Sequence, residues 1–264
     1  MMLPLNRNAL LAAAGVIVLA GSFARPVAAQ ADVPPLSAVV PAGPVSLSPF
    51  VATYQAYSGG ALAGNAVMRL VKRGADLWRI DMDVKADSGL AGLAGVTMQQ
   101  STAFRSGDGL SFVPLGQSTV KSAVFSKKQS TGVYDWKTHM ARWSGDVKDT
   151  RKAPVPLQDG DLSTLLLNLA VIRDAQPGRS LSYRLVDDGR ARPQQYTVGA
   201  QPETIAVGEL SYDALRVSRT NAGGNETVLW VAAGVPTPVR ILQREDGQDK
   251  LDLRLVQYQG ATAQ

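Results

Sequence analysis

The stretch Trp78-Arg79-Ile80-Asp81-Met82-Asp83-Val84-Lys85-Ala86 decides the fold. Its apolar side chains fall at every second position with charges between them. In an extended strand, successive side chains point to opposite faces, so this order puts Trp78, Ile80, Met82, Val84 and Ala86 on one face and Arg79, Asp81, Asp83 and Lys85 on the other. A helix would scatter both sets around its axis. The same period of two runs through Phe50, Ala52, Tyr54 and Ala56, then, past the Gly59-Gly60 turn, through Met68, Leu70 and Val71. Turn pairs punctuate the rest: Asp108-Gly109, Asp188-Gly189, Gly223-Gly224 and Asp246-Gly247. The last of these predicts a hairpin pairing Val239 to Leu242 with Leu251 to Leu255.

One segment breaks the pattern. In Asp161 to Arg173, residues Leu162, Leu165, Leu166, Leu169 and Ile172 share a helical face, Asp161 is placed to cap the first turn, and Pro177-Gly178 follows as a stop. Ten to twelve strands and one amphipathic helix leave no crossover helices for a parallel sheet. The expected fold is mainly β: a strongly curved antiparallel sheet, a half-barrel or incomplete barrel, covered by that helix.

Outward from this unit, residues 1–31 read as a signal peptide. Arg7 precedes the twelve-residue apolar run ALLAAAGVIVLA, and small residues permit cleavage after Ala29 or Ala31. A span of the bilayer needs about 20 apolar residues, and this run is interrupted by Ser22 and Arg25. The expectation is export to the periplasm with no transmembrane segment after cleavage; the competing reading is a retained anchor. Residues 32–49 hold five prolines and read as an extended linker, residues 50–258 as a single β-rich domain, and residues 259–264 as an unstructured tail.

Composition narrows the chemistry. The 264 residues include no Cys and one His, His139, which excludes disulfides, thiolate nucleophiles, lipidated cysteines and multi-histidine metal sites. The formal charge of +5 falls when the leader, with Arg7 and Arg25, is removed. Basic residues cluster at Arg69, Lys72 and Arg73, at Lys121, Lys127 and Lys128, and at Arg184, Arg190 and Arg192, but acids are interspersed, so no nucleic-acid partner is expected. The serine-hydrolase elbow, the phosphate loop, the dinucleotide fingerprint and the zincin helix are all missing. Asp81 and Asp83 share a strand face as an acid–base pair must, yet that face is the polar one, where charges are ordinary filling. His139 lies between Trp136 and Trp143 in an expected hairpin, as a packed or surface ring would. The reading is a protein that is not an enzyme, with no cofactor and no metal.

Several short features recur in one order: Phe50, Ala52 and Tyr54; Asp108-Gly109-Leu110; the helix start at Asp161-Leu162-Ser163; Tyr196-Thr197-Val198; Leu229-Trp230; and Pro238-Val239-Arg240. In this the chain resembles the exported proteobacterial proteins grouped as domain of unknown function 3108, over about Ser48 to Tyr258. The resemblance implies a fold similar to periplasmic lipoprotein carriers and receptors, in which an antiparallel sheet wraps around a helix-lidded apolar cavity. The anchoring cysteine of the outer-membrane receptor has no counterpart here. On this reading the protein binds or carries an apolar ligand such as a lipid or lipoprotein acyl chain. The alternative is a cell-envelope scaffold that engages another envelope protein with a filled core. The candidate ligand-binding residues are Trp78, Ile80, Met82, Val84, Met98 and Phe104 on strands and Leu165, Leu166 and Leu169 on the helix. Leu90 and Leu93, in the small-residue segment Ser88 to Gly95, are expected either at the mouth as a lid or in a plain flexible connection.

Overall fold

In the computed structural model, residues 47–86, 95–107, 110–220 and 224–260 are described. The alternating stretch is strand β3 (Leu77–Ala86), flanked by β2 (Ala61–Lys72) and β4 (Thr97–Ser106), with β1 (Phe50–Ser58) beyond β2. Trp78, Ile80 and Met82 are buried, while Arg79 and Lys85 are exposed. Ile80 lies opposite Leu70 on one side and Thr102 on the other, and Met82 opposite Met68 and Gln100. Cross-strand rows of this kind are the unit by which a sheet face is stabilised.

The chain continues through β5 (Phe112–Ala123), β6 (Ser126–Asp135), β7 (Met140–Gly145), β8 (Val155–Pro156), β9 (Asp161–Leu162), α1 (Thr164–Asp174), β10 (Ser180–Asp187), β11 (Arg190–Val198), β12 (Glu203–Val207), β13 (Leu210–Thr220), β14 (Glu226–Ala232), β15 (Arg240–Glu245) and β16 (Gln248–Gly260). All sixteen strands join one sheet in the order β8-β7-β6-β5-β4-β3-β2-β1-β16-β15-β14-β13-β11-β10-β9, with β12 pairing β13 off this path. Pairs are antiparallel except β9 beside β10, parallel over two residues. The ladder is not closed into a barrel. The count exceeds the expected ten to twelve in large part because β8 and β9 are two residues each and β12 is five, too short to show a period in sequence.

The final hairpin has the expected partners, Ile241 opposite Leu253. Its turn residues Asp246 and Gly247 have φ of 52° and 76°, the left-handed pair that matches strand twist. The Asp188-Gly189 turn repeats this, and a side chain at Gly189 would meet the Arg151 carbonyl oxygen at 2.0 Å. Asp108-Gly109 and Gly223 lie outside the described residues.

The helix departs from expectation at its start. Ser163, not Asp161, is the N-cap: its Oγ accepts from the Leu166 amide at 3.4 Å and shares a 3.0 Å hydrogen bond with the Thr102 hydroxyl of β4. Asp161 is instead a buried strand residue, gripped by the Arg184 guanidinium at 2.6 and 2.8 Å and accepting from the Gln158 amide. Both residue types cap helices, and two positions separate them, so sequence alone does not choose. The helix is also buried more widely than one stripe, since Leu167, Ala170 and Val171 are buried along with Leu165, Leu166 and Leu169. These side chains join one core with Tyr54, Met68, Ile80, Phe104, Leu229 and Leu255.

A second cluster draws on both ends of the strand order: Tyr134, Ala141, Trp143 and Val155 from β6 to β8, and Val186 from β10. Tyr134 donates to the Val186 carbonyl at 2.6 Å, and Arg184 of β10 donates to the Pro156 carbonyl of β8 at 3.1 Å. Side chains rather than backbone bonds tie these strands together.

Removing one partner of a buried ion pair leaves an uncompensated charge, which costs about 3 kcal/mol or more. Arg184→Met is therefore expected to lower stability in urea denaturation by about 3 kcal/mol, because the Asp161 side chain is fully buried.

Candidate functional site

Between α1 and the sheet lies a cavity of about 130 Å³. One wall is a cross-strand quartet: Met82 faces Gln100 and Val84 faces Met98 across β3 and β4. The opposite wall is a second row, Leu229, Ile241 and Leu253, aligned across β14, β15 and β16. Thr164, Leu165 and Leu167 enter from the first turn of α1, held in place by the Ser163 cap and its bond to Thr102. The lining is mostly apolar on these sides, with Gln100 and Thr164 as polar members, because each strand presents the face opposite its charges.

The remaining rim is polar and already paired. Arg219 bonds the Gln194 side-chain oxygen and donates to the Thr227 hydroxyl at 3.1 Å, and its guanidinium stands 5.7 Å from the centre of the Tyr196 ring. Burial raises the Tyr196 phenol above its ordinary range, with Arg219 acting in the opposite sense. Val84 and Met98 are only half-buried, so the apolar side of the cavity reaches the surface there.

The expected site residues that are described separate into three groups. Met82, Val84, Met98 and Leu165 line the cavity. Trp78, Ile80, Phe104 and Leu166 are buried in the core outside it, Phe104 edge-on to Phe112 at 5.7 Å. Leu169 lines a separate recess of about 40 Å³ with Phe50, Leu70 and Phe112. Leu90 and Leu93 lie outside the described residues. The lining residues Leu229, Ile241 and Leu253 were legible as apolar strand positions, but only the pairing of β14 with β15 and β16 brings them opposite β3.

The residues weighed for catalysis are engaged elsewhere. Asp81 and Asp83 form ion pairs with Arg79 and Arg69, each at 2.8 Å. His139 is exposed in the β6–β7 turn at φ 51°, its ring edge-on to Trp136 at 6.3 Å. It borders a groove of about 710 Å³ that also holds Asp174 and Tyr183. There Tyr183 donates to Asp174 at 3.0 Å while Arg173 clamps the same carboxylate at 2.7 Å. Burial first, and then Asp174, push the Tyr183 phenol far above its usual range. Among the described residues no group of three metal-ligating side chains forms.

The two faces of β3 respond differently to charge. Met82→Asp places a carboxylate at a position 5% exposed, against Met68 and Gln100, and is expected to cost at least about 3 kcal/mol. Asp81→Asn, which removes only a surface pair, is expected to cost under about 1 kcal/mol. Thermal unfolding followed by circular dichroism measures both.

Comparison with known proteins places this geometry. Among curated proteins nothing matches the chain. Among solved structures, a β-barrel-like protein of the DUF1849 domain of unknown function from Brucella abortus superposes with a TM-score of 0.53. That match has 10% identity and covers 83% of this chain and 100% of that one, so the likeness is one of fold. A DUF1089 family protein from Pseudomonas aeruginosa aligns over 66% of this chain and 87% of its own, at 10% identity. Its TM-score of 0.36 carries no argument. The family model described as protein of unknown function DUF3108 matches residues 53–254, nearly all of the sheet and the whole helix, and the chain belongs to that family.

Proposed function

We propose that this DUF3108 protein is exported to the periplasm and there binds or carries an apolar ligand such as a lipid or a lipoprotein acyl chain. The observation that carries the reading is the cavity between α1 and two largely apolar cross-strand rows, open to the surface at half-buried Val84 and Met98. In this reading the sheet is a strongly curved half-barrel and the helix covers its hollow side. Support comes from the core that α1 shares with strands far apart in the order, and from the side-chain ties between β6, β8 and β10. Export rests on the basic residue and apolar run at the N-terminus.

Energetics make an empty state tolerable. At roughly 24 cal/mol per Å³, a void of 130 Å³ costs about 3 kcal/mol, within reach of a domain of ordinary stability. Each buried methylene returns about 0.8 kcal/mol, so about four of them offset the void. Ligand pockets usually reach about 300 Å³ or more, so a longer chain enters by displacing half-buried wall residues such as Met98 and Val84.

The cavity's small size favours a second reading, an envelope scaffold with a filled interior. The tip of the β5–β6 hairpin supports it, since Phe125 is 99% exposed and Val124 is 67% exposed, an apolar pair available to another protein.

Native mass spectrometry of protein purified from the periplasm is expected to show lipid-sized adducts, and the neutral dye N-phenylnaphthylamine to fluoresce on binding. Val84→Trp, filling the cavity mouth, is expected to weaken dye binding about tenfold, a change of about 1.4 kcal/mol, with the urea midpoint retained. A clean ligand-free mass together with no dye uptake by the unaltered protein overturns the carrier reading in favour of the scaffold.

A further inference from the structure

Two basic clusters that are some sixty residues apart in sequence meet in space. Lys121 and Lys128, on the β5–β6 hairpin, face Arg190 and Arg192, on β11, across a cleft of about 420 Å³ to which Lys148 also contributes. None of these five cations has an ion-pair partner among the described residues. The three carboxylates of the same cleft do not balance these cations: Asp188 is already paired with Arg151, and only Asp187, holding the Gln117 amide and the Thr164 hydroxyl, and Asp146, holding the Gln129 backbone amide, remain against the five. The cleft therefore carries an excess of positive charge.

Arg192 is the most informative member. Its Nε is buried and has no hydrogen-bond partner, a condition that folded proteins avoid unless something else satisfies the group. Burial foremost, and then Arg190, with Arg151 and Arg219 in the same sense and Asp187 opposing, lower its pKa below the ordinary arginine value. A guanidinium stays charged under such pressure, so the arrangement lacks an acceptor for Arg192 and negative charge to balance the cleft.

The cleft and the cavity are neighbours. Gln100 lines both. Along β11, alternate residues on one face run from exposed Arg190 through Arg192 to buried Gln194 and Tyr196, passing from the basic cleft into the apolar cavity. A ligand lying along this face meets cations at one end and Met82, Val84 and Leu165 at the other.

We propose that the basic cleft is a binding site for a phosphate-class oxyanion, and that this oxyanion is the head group of an amphiphile whose chain occupies the neighbouring cavity. The second half rests on the carrier reading; the first half does not. Arginine and lysine recognise such oxyanions by charge-assisted hydrogen bonds.

The test uses the full chain with two soluble lipids that share one acyl chain and differ by a phosphate, lysophosphatidic acid and monoacylglycerol, as competitors of N-phenylnaphthylamine. Inorganic pyrophosphate, followed by calorimetry, is the second arm. The expected result is that lysophosphatidic acid displaces the dye at a concentration at least about tenfold lower than monoacylglycerol, and that added salt narrows the gap. In the Lys121→Gln/Arg192→Gln variant the two lipids become equal within about twofold, while direct dye binding is unchanged. The urea midpoint of that variant is expected not to fall, because Arg192 loses a desolvated charge; the Lys121→Gln/Lys148→Gln variant, altered only at exposed positions, repeats the lipid test independently of folding. Pyrophosphate binding that these variants abolish, without any preference between the lipids, upholds the oxyanion site and overturns its assignment to a head group. Neither pyrophosphate binding nor a lipid preference overturns the proposal entirely. Absence of dye binding with pyrophosphate binding intact overturns the carrier reading and leaves the cleft standing.

Discussion

A sheet with one apolar face gains stability only when that face is taken from water, at roughly 25 cal/mol per Å². In this domain helix side chains share in that burial. Helix α1 brings Leu165, Leu166, Leu167 and Leu169 into the core formed by β1 to β4 and β14 to β16, and a full leucine burial contributes about 1.5–3 kcal/mol. The helix is seated by a polar contact, the bond between Ser163 and Thr102, which is buried and therefore directional as well as stabilising. The cavity and the groove are both lined in part by that helix, the first by its opening turn and the second by Arg173 and Asp174 at its end.

The buried charges serve the same arrangement. Asp161 and Asp252 are nearly inaccessible, yet each is matched, Asp161 by Arg184 and Asp252 by Arg240 and Arg254. Such pairs contribute little net stability but penalise any register that separates them. Arg184 reaches both Asp161 of β9 and the Pro156 carbonyl of β8, so one guanidinium connects the two extremes of the strand order.

Much of this was legible in the chain. The alternation from Trp78 to Ala86 gave the strand, its buried face and its charged face; the Asp246-Gly247 turn gave the last hairpin and its partners; the leucine spacing after residue 161 gave the helix. The cap was ambiguous because Asp161 and Ser163 offer the same chemistry, and only burial beside Arg184 distinguishes them. Half of the cavity could not be read. Which strand faces which is a matter of long-range pairing, and Leu229, Ile241 and Leu253 look in sequence like any other core positions. Conversely Trp78 and Phe104, marked by size and period, are packed among neighbours that leave no room for a guest. The basic cleft was hidden for a related reason: Lys121 and Arg192 belong to clusters that look diluted by acids along the chain, and the fold assigns those acids other partners.

The ends of the ladder have a further consequence. An open sheet of sixteen strands exposes two margins, and an unprotected margin recruits strands from other molecules. Here both margins end in strands of two residues, β8 and β9, and β8 closes on Pro156, which has no amide hydrogen to offer. The unpaired side of β11 carries Pro193 in the same way. A newcomer strand therefore meets few backbone donors at these two ends of the ladder.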